Sequence, residues 1–178
     1  MRPFAVVFLL IITILFFENV STVSAQFLEA GVDKLEKSID APDVKLKVLD
    51  GGEISIKELK GKVILLQFFS PYSSVCQKAA VALDKLHDAI KTKDLVIFHV
   101  AIEGREKDLI KFRDKHAISL PILLDGNGAA ARAYRVSGHP ETFFINRQGK
   151  IVGKAFWEKD WTSKSMKDLI KFLLGQQK

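Results

Sequence analysis

Val63 to Phe69, VILLQFF, runs almost without a polar residue between Gly61-Lys62 and Ser70-Pro71. Seven residues are too few for a buried helix, and a run with no polar face suits a strand covered on both sides. Such a strand needs a layer above and below, so it demands a sheet with helices packed on its faces. Leu95 to Ile102 (LVIFHVAI) is a second run of this kind. Between the two, Ala79, Leu83, Leu86 and Ile90 recur at helical steps, which predicts a helix from about Ser74 to Lys91 with one apolar face. Strand, helix, strand in this order makes a parallel core.

The rest of the chain extends that core. Leu109, Ile110 and Phe112 predict a helix from about Arg105 to His116, followed by Pro121-Ile122-Leu123-Leu124 and a short helix ending near Tyr134. Glu141 to Asn146 and Lys150 to Phe156 flank Arg147-Gln148-Gly149 and read as a terminal hairpin. Met166, Leu169, Ile170 and Leu173 trace a last helix that closes at Gly175, with Thr162 or Ser163 as its cap. Upstream, Lys45 to Val48 and Ile54 to Ile56 flank Asp50-Gly51-Gly52, a hairpin signature. Further upstream, Phe27, Leu28, Val32, Leu35 and Ile39 sit at helical spacing before Ala41-Pro42 and predict a lead-in helix over 26–40.

A chain of 178 residues, 48% of them hydrophobic, has the material for one well-buried domain. Its start is different in kind: Arg2, an unbroken apolar run from Phe4 to Phe17, then Val23-Ser24-Ala25 before Gln26. This is the grammar of a signal peptide cut after Ala25, and the run is shorter than the roughly 20 residues a membrane-spanning helix needs. The expected organisation is a signal peptide over 1–25, a lead-in segment over 26–41 and a domain over 42–178. The product is expected to be exported, periplasmic or secreted, with no stable membrane span after cleavage. Loss of 1–25 removes Arg2 and Glu18 and leaves the net charge at +6. The lysines alternate with acids along the sequence, with none of the clustered basic stripe that nucleic-acid binding needs. Cys76 is the chain's single cysteine, so no internal disulfide forms. It is either a small buried apolar residue or a thiol kept for chemistry.

Three blocks carry a family resemblance: APDVKLKVLDGGEISIKELKGKVILLQFF from Ala41, PILLDGNGAAARAYRVSGHPETFFINRQGKIV from Pro121, and Asp160-Trp161 before the last helix. Residues 41–174 resemble the exported thioredoxin-like proteins of the TlpA/ResA kind, in the AhpC/TSA-redoxin branch of the thioredoxin superfamily. The resemblance implies an α/β thioredoxin fold: a central mixed sheet flanked by helices, with an amino-terminal β-hairpin extension. It also implies an active-site turn after VILLQFF and a cis bond at His139-Pro140 facing that turn. In this family the turn reads W-C-x-x-C, which lays Tyr72 on the tryptophan, Ser73 on the first cysteine and Cys76 on the second.

The attacking cysteine is therefore a serine. Dithiol exchange needs a thiolate at the helix start and a second thiol three residues on to resolve the mixed disulfide. A serine hydroxyl stays protonated near neutral pH and forms no disulfide. What remains is a degenerate thiol-redox protein: monothiol chemistry at Cys76 with Ser73, or peptide binding at Tyr72, His139 and Pro140. A protein or peptide partner is expected, and no cofactor or metal is implied. A peroxiredoxin-like reading of SSVCQKA, with Cys76 as the peroxidatic nucleophile, stands beside it. Pro71 lies five residues before Cys76 where that pattern wants seven, and Pro140 replaces the arginine that would hold peroxide. His87, His99 and His116 read as surface or packing residues, Trp157 and Trp161 as covers for the core edge, and Lys57, Lys60 and Lys62 as a solvated face.

Overall fold

The computed structural model describes residues 23–176; the expected signal peptide lies outside the described residues except for its last three. One eight-stranded sheet organises the chain, in the order β1-β8-β7-β4-β5-β6-β2-β3. The strands are β1 (Asp33–Asp40), β2 (Lys45–Val48), β3 (Glu53–Ser55), β4 (Val63–Phe69), β5 (Leu95–Ala101), β6 (Ile122–Leu124), β7 (Glu141–Ile145) and β8 (Lys150–Phe156). The helices are α1 (Ser74–Ile90), α2 (Glu106–His116), α3 (Ala129–Ala133) and α4 (Lys164–Gly175).

β4 is buried at all seven positions, because it lies between β5 and β7 in the sheet and under a layer on each face. It runs parallel to β5 in unbroken register from Val63↔Leu95 to Phe69↔Ala101, and antiparallel to β7 from Ile64↔Ile145 to Phe68↔Glu141. Side chains alternate across the sheet. Val63 and Leu65 meet Leu83 and Leu86 of α1 and Leu169 and Leu173 of α4 on one face. Ile64, Leu66 and Phe68 meet Tyr134, Phe143, Leu46 and Ile56 on the other. A sheet covered on both faces thus follows from one apolar heptapeptide and the elements packed around it.

The lead-in segment departs from its expectation. Residues 23–29 are helical, but the chain leaves the helix at Gly31, whose φ of +66° lies in the left-handed region. It then runs extended as β1 and pairs with β8, Asp33↔Lys154 to Asp40↔Lys150, across a bulge between Lys34 and Ile39. The spacing of Leu35 and Ile39 suggested a helix only because it is compatible with both periods. The unpaired edge of β8, with backbone donors and acceptors to satisfy, decides for the strand. Phe27 and Val32 pack over Gly153, where a Cβ would come within 2.8 Å of Phe27 and 3.0 Å of Val32. Among the described residues no helix is long and apolar enough to cross a membrane.

Candidate functional site

The candidate site begins where β4 ends. After Phe69 the backbone turns through Ser70 to Ser73, and Ser73 takes an extended conformation (φ −89°, ψ 121°) from which its Oγ accepts the Cys76 backbone N–H at 3.4 Å. Ser73 is thus the amino-terminal cap of α1, a role for which serine is well suited. Cys76 sits in the first turn, fully buried among Phe69, Ala80, Ala101, Leu109 and Phe112. Burial pushes its thiol pKa up. Hydrogen bonds from the Ser70 backbone and the Ser73 side chain oppose that, and the Glu103 carboxylate adds to the rise by repelling a thiolate. The helix start, which lowers the pKa of an exposed cysteine, is overcome here by desolvation.

Polar contacts hold the turn in shape. The Ser70 hydroxyl donates to Glu103 and accepts the Tyr72 N–H at 3.2 Å, and Gln77 Nε2 donates to the Pro71 carbonyl at 2.7 Å. The Tyr72 hydroxyl donates to Asp108 Oδ2 at 3.1 Å, and Arg105 Nε donates to the same oxygen at 2.9 Å. The Tyr72 ring remains 59% exposed, and hydrogen bonding to Asp108 moves its hydroxyl pKa up. Gly104 closes the arrangement from β5: with φ at +106°, it lies so near the turn that a Cβ would come within 2.9 Å of Pro71 Cγ. Ser70, Glu103, Gly104 and Asp108 were not singled out from the sequence. A glycine placed just past a buried strand was the one usable signal among them.

On the neighbouring strand lies the other half of the site. Phe68 is level with Glu141 and Glu141 with Phe156, so Ser70, Pro140 and Trp157 follow one another along the same rim at roughly 5 Å per strand. The His139–Pro140 bond is cis; Pro140 is buried and His139 half-buried. The Trp157 N–H donates to the Pro140 carbonyl at 3.0 Å. Below the loop, the buried Glu141 carboxylate accepts from the Ser137 N–H at 2.8 Å and from Lys154 Nζ at 3.1 Å. Lys154 lies 4.6 Å above the Phe143 ring. Tyr72, Ser73 and Cys76 thus share one turn, and His139 and Pro140 sit at the end of the adjacent strand, with no hydrogen bond between Ser73 and His139.

The two tryptophans part company. Trp161 is 1% exposed and stacks on Phe144, with 6.0 Å between ring centroids, and so covers the core edge as expected. Trp157 does not: it is 64% exposed and has a φ of +64°. The left-handed turn directly after β8 carries its indole over Gly138, where a Cβ would lie 3.9 Å from the ring, and away from the core. A bulky residue in that backbone region is a costly exception. Among the described residues no three His, Cys, Asp or Glu side chains are grouped to hold a metal ion.

A family model described as the AhpC/TSA family matches residues 39–154. The thioredoxin-like protein YneN of Bacillus subtilis (strain 168) is 31% identical over 119 residues, which cover 66% of this chain and 69% of that one. The thiol-disulfide oxidoreductase ResA of the same organism is 28% identical over 123 residues, 69% of each chain. Among solved structures, the thioredoxin domain of a thiol-disulfide oxidoreductase from Bacteroides vulgatus superposes with a TM-score of 0.68 at 24% identity, covering 79% of this chain and 99% of that one. That last likeness shows the fold.

Proposed function

The chain belongs to the AhpC/TSA family and has the thioredoxin fold of its thiol-disulfide oxidoreductase relatives, and from that premise we propose that it is an exported member which has exchanged disulfide catalysis for binding. Its partner is an extended protein segment laid along the rim at Tyr72, Ser73, His139 and Pro140. Cys76 contributes at most slow monothiol chemistry. One observation carries this reading: the only thiol is fully buried and its pKa is raised, while the position three residues before it is a serine already used as a helix cap. A thiol held protonated is a poor nucleophile. Export rests on the leader sequence and cleavage after Ala25.

The peroxiredoxin alternative asks for a thiolate next to a cation. Here the charged group that acts on Cys76 is the Glu103 carboxylate, and the nearby Arg105 is engaged with Asp108 at 2.9 Å. The test is catalytic. The protein is expected to show no turnover in insulin reduction with dithiothreitol and none with hydrogen peroxide. Ser73→Cys is expected to form a 73–76 disulfide on oxidation and to reduce insulin catalytically, because two thiols three residues apart at a helix start can close and reopen a disulfide. Peroxide turnover by the unaltered protein would establish the peroxidase reading instead. A Ser73→Cys variant that forms no disulfide would show that the site has been placed wrongly.

A further inference from the structure

Folding gathers what the sequence disperses. β4 and β5 both begin at one rim of the sheet, β7 turns into β8 there, and α1 ends there. The carboxyl-terminal end of α4 is tied to the same rim by Arg147, whose Nε and Nη2 donate to the Leu174 carbonyl at 3.0 and 2.8 Å. This is the rim opposite Cys76 and Pro140. Lys57, Lys60 and Lys62 precede β4, Lys91 and Lys93 precede β5, and Lys167 and Lys171 of α4 line a cavity of about 370 Å³ together with Thr92, Asp94 and Arg147. None of these seven lysines forms an ion pair among the described residues, whereas Arg147 and Lys150 are spent on Asp94 and Asp40. The other carboxylates nearby are Asp43, Glu58, Asp88 and Asp168, and Lys60 and Lys171 act on Asp40 and Asp168 from beyond ion-pair distance, so a smaller positive excess remains. Around the Cys76 rim, Glu103, Glu106, Asp108, Glu158 and Asp160 are interspersed with Lys78, Arg105, Lys107 and Lys159, which leaves little net charge there.

We propose that the lysine rim is a docking surface for an anionic phospholipid membrane, holding the molecule with its Cys76 and Trp157 rim turned away from the lipid. Charge complementarity carries the proposal: unpaired lysines on flexible stems at a common level suit a diffuse plane of phosphate headgroups, which attracts each nearby cation over about a Debye length.

The test uses the chain from Gln26 onward, which keeps every core residue from Phe27 to Leu173, with cooperative unfolding checked first for each variant. Co-sedimentation is measured with vesicles of phosphatidylcholine alone and with vesicles containing about one third phosphatidylglycerol. Binding is expected only to the anionic vesicles and is expected to vanish in 0.5 M salt, a condition of about 4 Å screening length. Lys62→Glu/Lys93→Glu should weaken it at least tenfold, while Lys78→Glu/Lys107→Glu, which changes the net charge equally at the other rim, should leave it within about twofold. Equal losses from both pairs would reduce the effect to net charge and overturn the docking surface. So would absence of binding to anionic vesicles, or binding to polyglutamate in preference to them, which would assign the rim to an acidic protein.

Discussion

The two rims of the sheet differ in how their polar groups are spent. At the Cys76 rim the polar groups that shape the turn and the cis-proline loop are paired with neighbours: Ser70 with Glu103, Tyr72 and Arg105 with Asp108, and Glu141 with Ser137 and Lys154. At the opposite rim seven lysines stand without an ion-pair partner among the described residues. Paired side chains hold a backbone in one conformation, which is what recognition of a segment by shape requires. Free ones retain rotamer entropy and suit attraction that reads only charge. The same sheet therefore offers a rigid rim and a soft one, and the difference can be broken or sharpened by substitution.

The largest effect is expected beneath the rigid rim. Glu141 is fully buried and bridges the Ser137 N–H to Lys154. Removing the carboxylate in Glu141→Ala leaves the amide and a largely buried ammonium without a partner, which costs about 3 kcal/mol. Urea unfolding at pH 7 measures it, and a cost below about 1 kcal/mol would mean that the loop is held by packing alone. Gly104→Ala comes next. Its Cβ meets Pro71 at 2.9 Å and its φ of +106° is unfavourable for alanine, for an expected cost of about 2 kcal/mol. Loss of the Tyr72–Asp108 contact should accompany it, visible as a change in tyrosine fluorescence; a neutral Gly104→Ala would show that the turn yields freely.

How much of this was legible in the sequence depends on the range of the contact. β4, β5, α1 and the terminal hairpin were readable because their apolar periods are local and long. Ser73 and Cys76 came from a spacing of three at a helix start, and Pro140 from a block of flanking residues. The Ser70–Glu103 pair joins residues 33 apart in sequence, and no local pattern marks either partner. β1 was misread because Leu35 and Ile39 fit both a helix and a strand, and the deciding fact, an open edge on β8, lies more than a hundred residues downstream. Trp157 was misread for a backbone reason: nothing in FWEKDW announces a left-handed tryptophan. The lysine rim was invisible for the plainest reason, since adjacency across loops 57–62 and 91–94 exists only after folding.

A smaller effect concerns Cys76 and follows from pH. Its thiol pKa is raised in the folded chain, chiefly by burial. In the unfolded chain the thiol titrates near the reference value of about 8.5. Above that pH the unfolded state has released a proton that the folded state still holds, so unfolding becomes more favourable as pH rises. The contribution of Cys76 is fully present below about pH 8 and is lost as pH climbs through the raised folded value. Cys76→Ala should flatten the decline in stability between about pH 8 and pH 10 relative to the unaltered chain. Alkylation by iodoacetamide at pH 7 should be slower than that of free cysteine in the native protein and normal in urea. A fast native reaction at pH 7 would mean that the thiol is neither buried nor raised.

The smallest expected effect is the most discriminating for the comparison itself. Lys62 and Lys93 make no ion pair among the described residues, and Lys93 is exposed, so Lys62→Gln/Lys93→Gln removes charge without breaking an ion pair. Surface substitutions of this kind change stability by no more than about 0.5 kcal/mol, and here relief of repulsion among the rim lysines makes a slight gain the expected sign. That gain should shrink as salt rises from 0.02 to 0.5 M, because the repulsion that it relieves is screened over about 4 Å at the higher concentration. If the double variant instead loses 1 kcal/mol or more, the lysines are structural and the two rims do not differ in kind. A stability gain that disappears in salt, paired with the Glu141→Ala loss that persists in it, would separate charges spent on the fold from charges left free by it.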